Sequence, residues 1–127
     1  MPFIIACDYD GTICENVFPE HGDFKEDIVN KIKEFKKHGS EIALWTCREG
    51  KSLEEAVARC KEAGIEFDAI NDNTSSQLKY MKEKEKEGDI FALHKIYADF
   101  YLDDKSLNLD IFLKIDVEAT CKKFADR

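Results

Sequence analysis

With 127 residues, 43% of them hydrophobic, the chain is sized for one domain (residues 1–127) around one core, with no need of disulfides or a structural metal. A formal charge of −8 opposes general nucleic-acid binding, which needs clustered Lys and Arg, and no apolar run approaches the ~20 residues of a membrane span. Five cysteines, an odd count with no Cys-x-x-Cys spacing, disfavour zinc and a disulfide framework; with no basic, cleavable leader, the expectation is a cytoplasmic protein with reduced thiols.

In chain order, residues 3–8 (FIIACD) form a short continuous apolar run, the pattern of a strand covered on both faces. Residues 13–24 are a hairpin-sized insertion, read as a short flap. Phe24, Ile28, Ile32 and Phe35 recur on one helical face, and Gly39 follows where a C-terminal cap belongs. Residues 41–46 (EIALWT) predict a second buried strand. Ser52 with Glu55 predicts a capping box, with Leu53, Ala56, Val57 and Cys60 inward and Gly64 ending the helix. A third strand is expected at residues 67–71 (FDAIN). Thr74 with Gln77 caps a helical segment over 74–88, whose charged run from residue 82 to 88 reads as a solvated face. Residues 99–104 (DFYLDD) predict a fourth strand and 108–115 (NLDIFLKI) a fifth. Val117, Cys121 and Phe124 mark a terminal helix.

Strand and helix in alternation predict an α/β fold: a three-layer, Rossmann-like domain with a central parallel sheet. In such sheets, ligands bind outside the carboxyl ends of the strands. The ends of the first four strands carry Asp8 to Thr12, Thr46 to Arg48, Asn71 to Asn73, and Asp103 with Asp104, so the conspicuous polar residues fall on one rim. If the first and fourth strands are neighbours, Asp8, Asp10, Asp103 and Asp104 converge. Clustered carboxylates cannot all ionise unless a cation sits among them. Hard oxygen ligands beside a phosphate site suit Mg²⁺. Gly11, Thr46 and Arg48 are the expected phosphate-binding residues: Gly11 permits a tight turn beside the anion, Thr46 offers a hydroxyl and an amide, and Arg48 offers a planar fork to phosphate oxygens.

At residues 8–12, Asp-Tyr-Asp-Gly-Thr, the chain resembles the haloacid dehalogenase (HAD) superfamily of phosphatases, whose first motif is D-x-D-G-T. Thr46 after an apolar strand resembles the second motif, and Tyr-Leu-Asp-Asp at 101–104 the fourth, in order across residues 3–104. The resemblance implies that Asp8 is a nucleophile forming an aspartyl-phosphate and Asp10 a general acid, then base. It also implies Mg²⁺ held by Asp8, the main-chain carbonyl of Asp10, and Asp103 or Asp104. Acid at position 10 goes with phosphatases and phosphomutases, not with phosphate-transporting ATPases, so the implied reaction is hydrolysis of a phosphomonoester. The family's lysine stays open between Lys79, 24 residues before Asp103, and Lys95, 8 residues before it; eight extended residues span about 26 Å. Arg48 is the other source of positive charge.

With a flap in place of a full cap domain, the chain looks like a small capless member. Relatives of that kind act on large substrates or oligomerise, so a phosphate on a small molecule or exposed on a larger one, and a homo-oligomer, all stay open. Two competing readings use the same residues: a phosphotransferase or phosphomutase acting on a sugar phosphate, and a non-catalytic binding domain. Plainer readings place Arg48 in a surface pair with Glu49 or Glu55, make Asn71 and Asn73 turn residues, leave Cys47 an inert thiol, and put His21, His38 and His94 on the surface or flap.

Overall fold

In the computed structural model, which describes residues 1–85 and 95–126, the first apolar run is strand β1 (Ile4–Cys7), buried along its whole length. Helix α1 (Glu26–Lys37) buries Ile28, Val29, Ile32 and Phe35. Glu26 and Asp27 lie in its first turn and Lys36 and Lys37 in the last, matching the helix dipole. Strand β2 (Glu41–Leu44) leads to α2 (Gly50–Glu62), then β3 (Ala69–Ile70) and α3 (Ser75–Glu85). After β4 (Phe100–Leu102) come a single 3₁₀ turn, α4 (Leu109–Leu113) and α5 (Val117–Ala125). Thr74 caps α3 as expected, its Oγ1 accepting from the Gln77 N–H. Residues 86–88 of that predicted segment, and His94, lie outside the described residues. None of the helices among the described residues is long and apolar enough to cross a membrane.

Two expectations are corrected. Residues 108–115 do not form a fifth strand. Asn108 turns the chain immediately after β4, accepting from the Asp103 N–H and donating to the Tyr101 carbonyl. Leu109, Phe112 and Leu113 then recur at a helical spacing that turns them onto the core. Phe112 stacks on Phe35 with ring centroids 5.4 Å apart, while Ile111 is left 59% exposed. The capping box of α2 also fails to form. The helix starts three residues earlier, at Gly50 with Glu49 as its N-cap, and both box side chains have other partners: Ser52 Oγ accepts from Arg48, and Glu55 meets His21.

Among the described residues the sheet is four-stranded and all-parallel, in the order β3-β2-β1-β4, with Cys7 paired to Leu44 on one side and Leu102 on the other. The chain winds outward from β1 through β2 to β3 and then crosses back to place β4 on β1's other edge. That reversal opens a crevice at the carboxyl ends of β1 and β4, where open α/β sheets take ligands. One face of the sheet shares a core with α1, α2, α4 and α5. The other face, with Ile4, Ala6 and Ala43, packs on Ile96 and Ala98. Ser76 ties α3 to Glu41 on that same face, completing the three layers of a Rossmann-like fold. The segment after β1 returns on itself as a hairpin: Cys14 bridges Phe24 antiparallel, and the Glu15 N–H donates to the Asp23 carbonyl.

Candidate active site

The Asp8 N–H donates to the Leu102 carbonyl at 3.0 Å, extending the β1–β4 pairing one residue and bringing the two acidic strand ends side by side. Carboxylate oxygens of Asp8, Asp103 and Asp104 lie within 4.8 Å of one another, all three residues half-buried. The acids are held from several directions. Buried Thr12 accepts from the Asp104 N–H at 3.0 Å and sets its hydroxyl 3.4 Å from Asp104 Oδ1. Asp103 Oδ1 accepts from the Lys105 N–H at 2.9 Å and so opens the 3₁₀ turn. Lys25 Nζ donates to the Gly11 carbonyl, fixing the loop that carries the first pair of acids.

Gly11 serves this cluster sterically. Its φ is +85°, and a Cβ there would lie 2.5 Å from Asp104 Oδ2. Its N–H donates to the Cys14 carbonyl, so the residue shapes the turn and makes room for Asp104 rather than offering its amide to an anion. Gly11→Ala should therefore cost about 2 kcal/mol or more of stability in urea unfolding. A loss under about 0.5 kcal/mol would mean that Asp104 gives way freely.

The electrostatics record the crowding. The Asp8 carboxyl is pushed up to about 6, first by burial and then by the charges of Asp103, Asp104 and Asp10, with the Tyr9 N–H pulling the other way. Burial, and after it the charges of Asp8 and Asp103, also raise the Cys7 thiol beneath it, leaving it unreactive. Three hard oxygen donors crowded within 4.8 Å of one another are the donor set a divalent cation satisfies.

Asp10 stands apart from that oxygen cluster. Its two oxygens accept from Arg48 in a bidentate pair, Oδ2 from Nε at 2.9 Å and Oδ1 from Nη2 at 2.8 Å. Arg48 Nη1 donates to the Pro19 carbonyl and Ser52 Oγ, and Nη2 also donates to the Glu20 carbonyl. All five N–H donors of the guanidinium are thus engaged. The group is buried, sandwiched between the rings of Tyr9 and Phe18. The expected phosphate-binding fork, and the surface pair with Glu49 or Glu55, are both corrected: Arg48 clamps Asp10 and bolts the flap to α2. A second bolt lies beside it. Arg59 donates to the Tyr9 hydroxyl and the Gly22 carbonyl, and His21 bridges Tyr9 to Glu55.

Thr46 lies on the rim, but its amide donates to Asn71 Oδ1 at 2.8 Å and its hydroxyl accepts from the Arg48 N–H. The hydroxyl proton remains to be donated. Asn71 (φ +52°) and Asn73 are turn and loop residues, Asn73 tying Lys95 and Tyr97 together. Lys79 is exposed on α3, and the Lys95 ammonium lies over the Tyr101 ring; neither lines the cleft. That cleft, of about 570 Å³, is bounded by Asp8, Asp10, Thr46, Arg48 and Asp103 together with Asn16, Phe18, Trp45, Cys47 and Lys105.

A solved structure of a conserved protein from Bacteroides thetaiotaomicron is 31% identical to this chain, with a TM-score of 0.66 over 83% of this chain and 78% of that one. The two chains belong to one family. No family model and no curated protein matches the sequence.

Lys105, two residues past Asp103, places its Nζ 3.7 Å from Asp104 Oδ2. Sequence reasoning passed over it because the search ran upstream of the paired acids. The available signal was the turn itself, since a lysine one step beyond a strand-end Asp-Asp pair stays on the rim.

Proposed function

We propose that this protein is a Mg²⁺-dependent phosphomonoester hydrolase of the HAD type, acting through an aspartyl-phosphate on Asp8. The observation that carries the reading is the convergence of Asp8, Asp103 and Asp104 oxygens within 4.8 Å at the carboxyl edge of a parallel sheet. In this scheme Asp8 attacks phosphorus, and the departing ester oxygen takes a proton from Asp10. Water then attacks the acyl phosphate, Asp10 accepts its proton, and Asp8 is regenerated. Asp8, Asp103 or Asp104, and the Asp10 carbonyl would hold Mg²⁺, which offsets the repulsion between the nucleophile and a dianionic phosphate. Arg48 orients Asp10, and Thr46 and Lys105, which line the cleft with the acids, are the donors for phosphoryl oxygens. A cytoplasmic setting suits five unpaired thiols, four of them buried.

The test is release of inorganic phosphate from a panel of phosphomonoesters, dependent on Mg²⁺ and stopped by EDTA, with a hydroxylamine-labile phosphoryl-enzyme trapped by acid. Turnover that ignores Mg²⁺ would overturn the reading.

Cation binding should also depend on pH. A proton on Asp8 competes with the ion, so the rise in melting temperature produced by Mg²⁺ should shrink as pH falls through about 6. Scanning fluorimetry between pH 5 and 8 measures it; a constant increment would remove Asp8 from the ligand set.

A further inference from the structure

The cleft is far larger than a phosphoryl group. At about 570 Å³ it lies within the range, about 300–1,000 Å³, of pockets that enclose whole small molecules. The acids, Thr46 and Lys105 account for a phosphate; two aromatic rings in the lining, Trp45 and Phe18, take no part in that. Trp45 is 48% exposed and Phe18 is 61% exposed, a costly use of large apolar rings on an acidic, otherwise polar rim.

The Phe18 ring and the backbone of Trp45 are held in place. The Trp45 N–H donates to the Cys7 carbonyl at 2.8 Å, carrying the β1–β2 ladder one residue past β2 and fixing the tryptophan backbone at the sheet's edge. Phe18 lies 4.9 Å from the Arg48 guanidinium carbon, which sits 5.2 Å from the centroid of Tyr9. The stack Tyr9–Arg48–Phe18 is anchored in turn by Asp10. The guanidinium carbon lies over the Phe18 ring, and the residue is still 61% exposed. A ring held in advance, as Phe18 is, binds a planar group with little loss of rotamer freedom on association.

We infer that the cleft takes phosphomonoesters whose alcohol portion carries a planar ring, stacked on Trp45 and Phe18. This rests on the phosphatase reading and adds the substrate class. Charge favours the same occupant: a chain with a net charge of −8 repels an extended polyanion but not an uncharged ring joined to one phosphate.

Trp45 is the one tryptophan in the chain, so its fluorescence reports the cleft directly. The probes are 2-phenylethylphosphonate and butylphosphonate with Mg²⁺, neither of which can be hydrolysed. The phenyl compound should quench Trp45 saturably and bind about tenfold more tightly by calorimetry. Phe18→Ala and Trp45→Leu should each bring the two affinities to within about threefold, with melting temperatures confirming that both variants fold. Equal affinities in the unaltered protein, or a preference that survives both substitutions, would overturn the ring site while leaving the phosphatase reading in place. If neither phosphonate binds, the phosphatase reading fails and the ring site with it.

Discussion

Asp8→Asn should abolish phosphomonoester hydrolysis, with kcat down by about 10⁴-fold or more, and should at the same time stabilise the Mg²⁺-free protein. An amide of the same shape cannot form the acyl phosphate. The gain in stability follows from the raised carboxyl of Asp8. Its value of about 6 in the folded protein stands above the ordinary 3.8, so between those limits the folded state binds a proton that the unfolded chain has released. Stability of the unaltered protein therefore falls as pH rises through this window, and the full penalty is present above it. Asparagine carries no charge to desolvate. Because Asp8 is only half-buried, solvent screening reduces the benefit to about 1 kcal/mol at pH 7. Urea midpoints in EDTA should show the variant's advantage growing from pH 4 to 6 and level above. Retained turnover would discard the nucleophile; a variant that loses stability at pH 7 would discard the electrostatic account.

Much of this site was legible because the rim is a local consequence of strand ends. A short apolar run followed by Asp-Tyr-Asp-Gly-Thr places Asp8 at a strand terminus whatever the rest of the chain does, and alternation of elements makes the sheet parallel. Putting Asp103 beside Asp8 needed one further step, the adjacency of β1 and β4. What escaped was of two kinds. In residues 108–115 a short apolar run fits either period, and only the packing of Phe112 between Phe35 and Phe100 resolves it. Arg48 is the other kind. Its neighbours in sequence, Glu49 and Glu55, suggested a surface pair, whereas its partner is 38 residues away and reachable only once β1 and β2 lie side by side. Side-chain pairings across a fold are set by topology, and no local pattern announces them.

That pairing yields the largest effect on stability. Arg48→Leu should destabilise the protein by about 3–5 kcal/mol, because it strands a mostly buried carboxylate and removes the donors to Pro19, Glu20 and Ser52 together. Arg48→Lys should recover little. An ammonium on a flexible stem can neutralise Asp10 but cannot span both its oxygens and the flap carbonyls, nor stack flat between Tyr9 and Phe18. Asp10→Asn should be milder, since the guanidinium keeps its flap and Ser52 acceptors. The double variant, Asp10→Asn with Arg48→Leu, should then be less unstable than the sum of the two single losses by about 2 kcal/mol, the mark of a direct pair. Hydrogen exchange separates the clamp from generic packing. With Arg48 gone, amides of residues 15–22 should exchange far faster, while those of β1 and α1 should lag behind, tracking only the loss of global stability. Additive losses in the cycle would show that the two side chains merely lie close, and that something other than Arg48 orients Asp10.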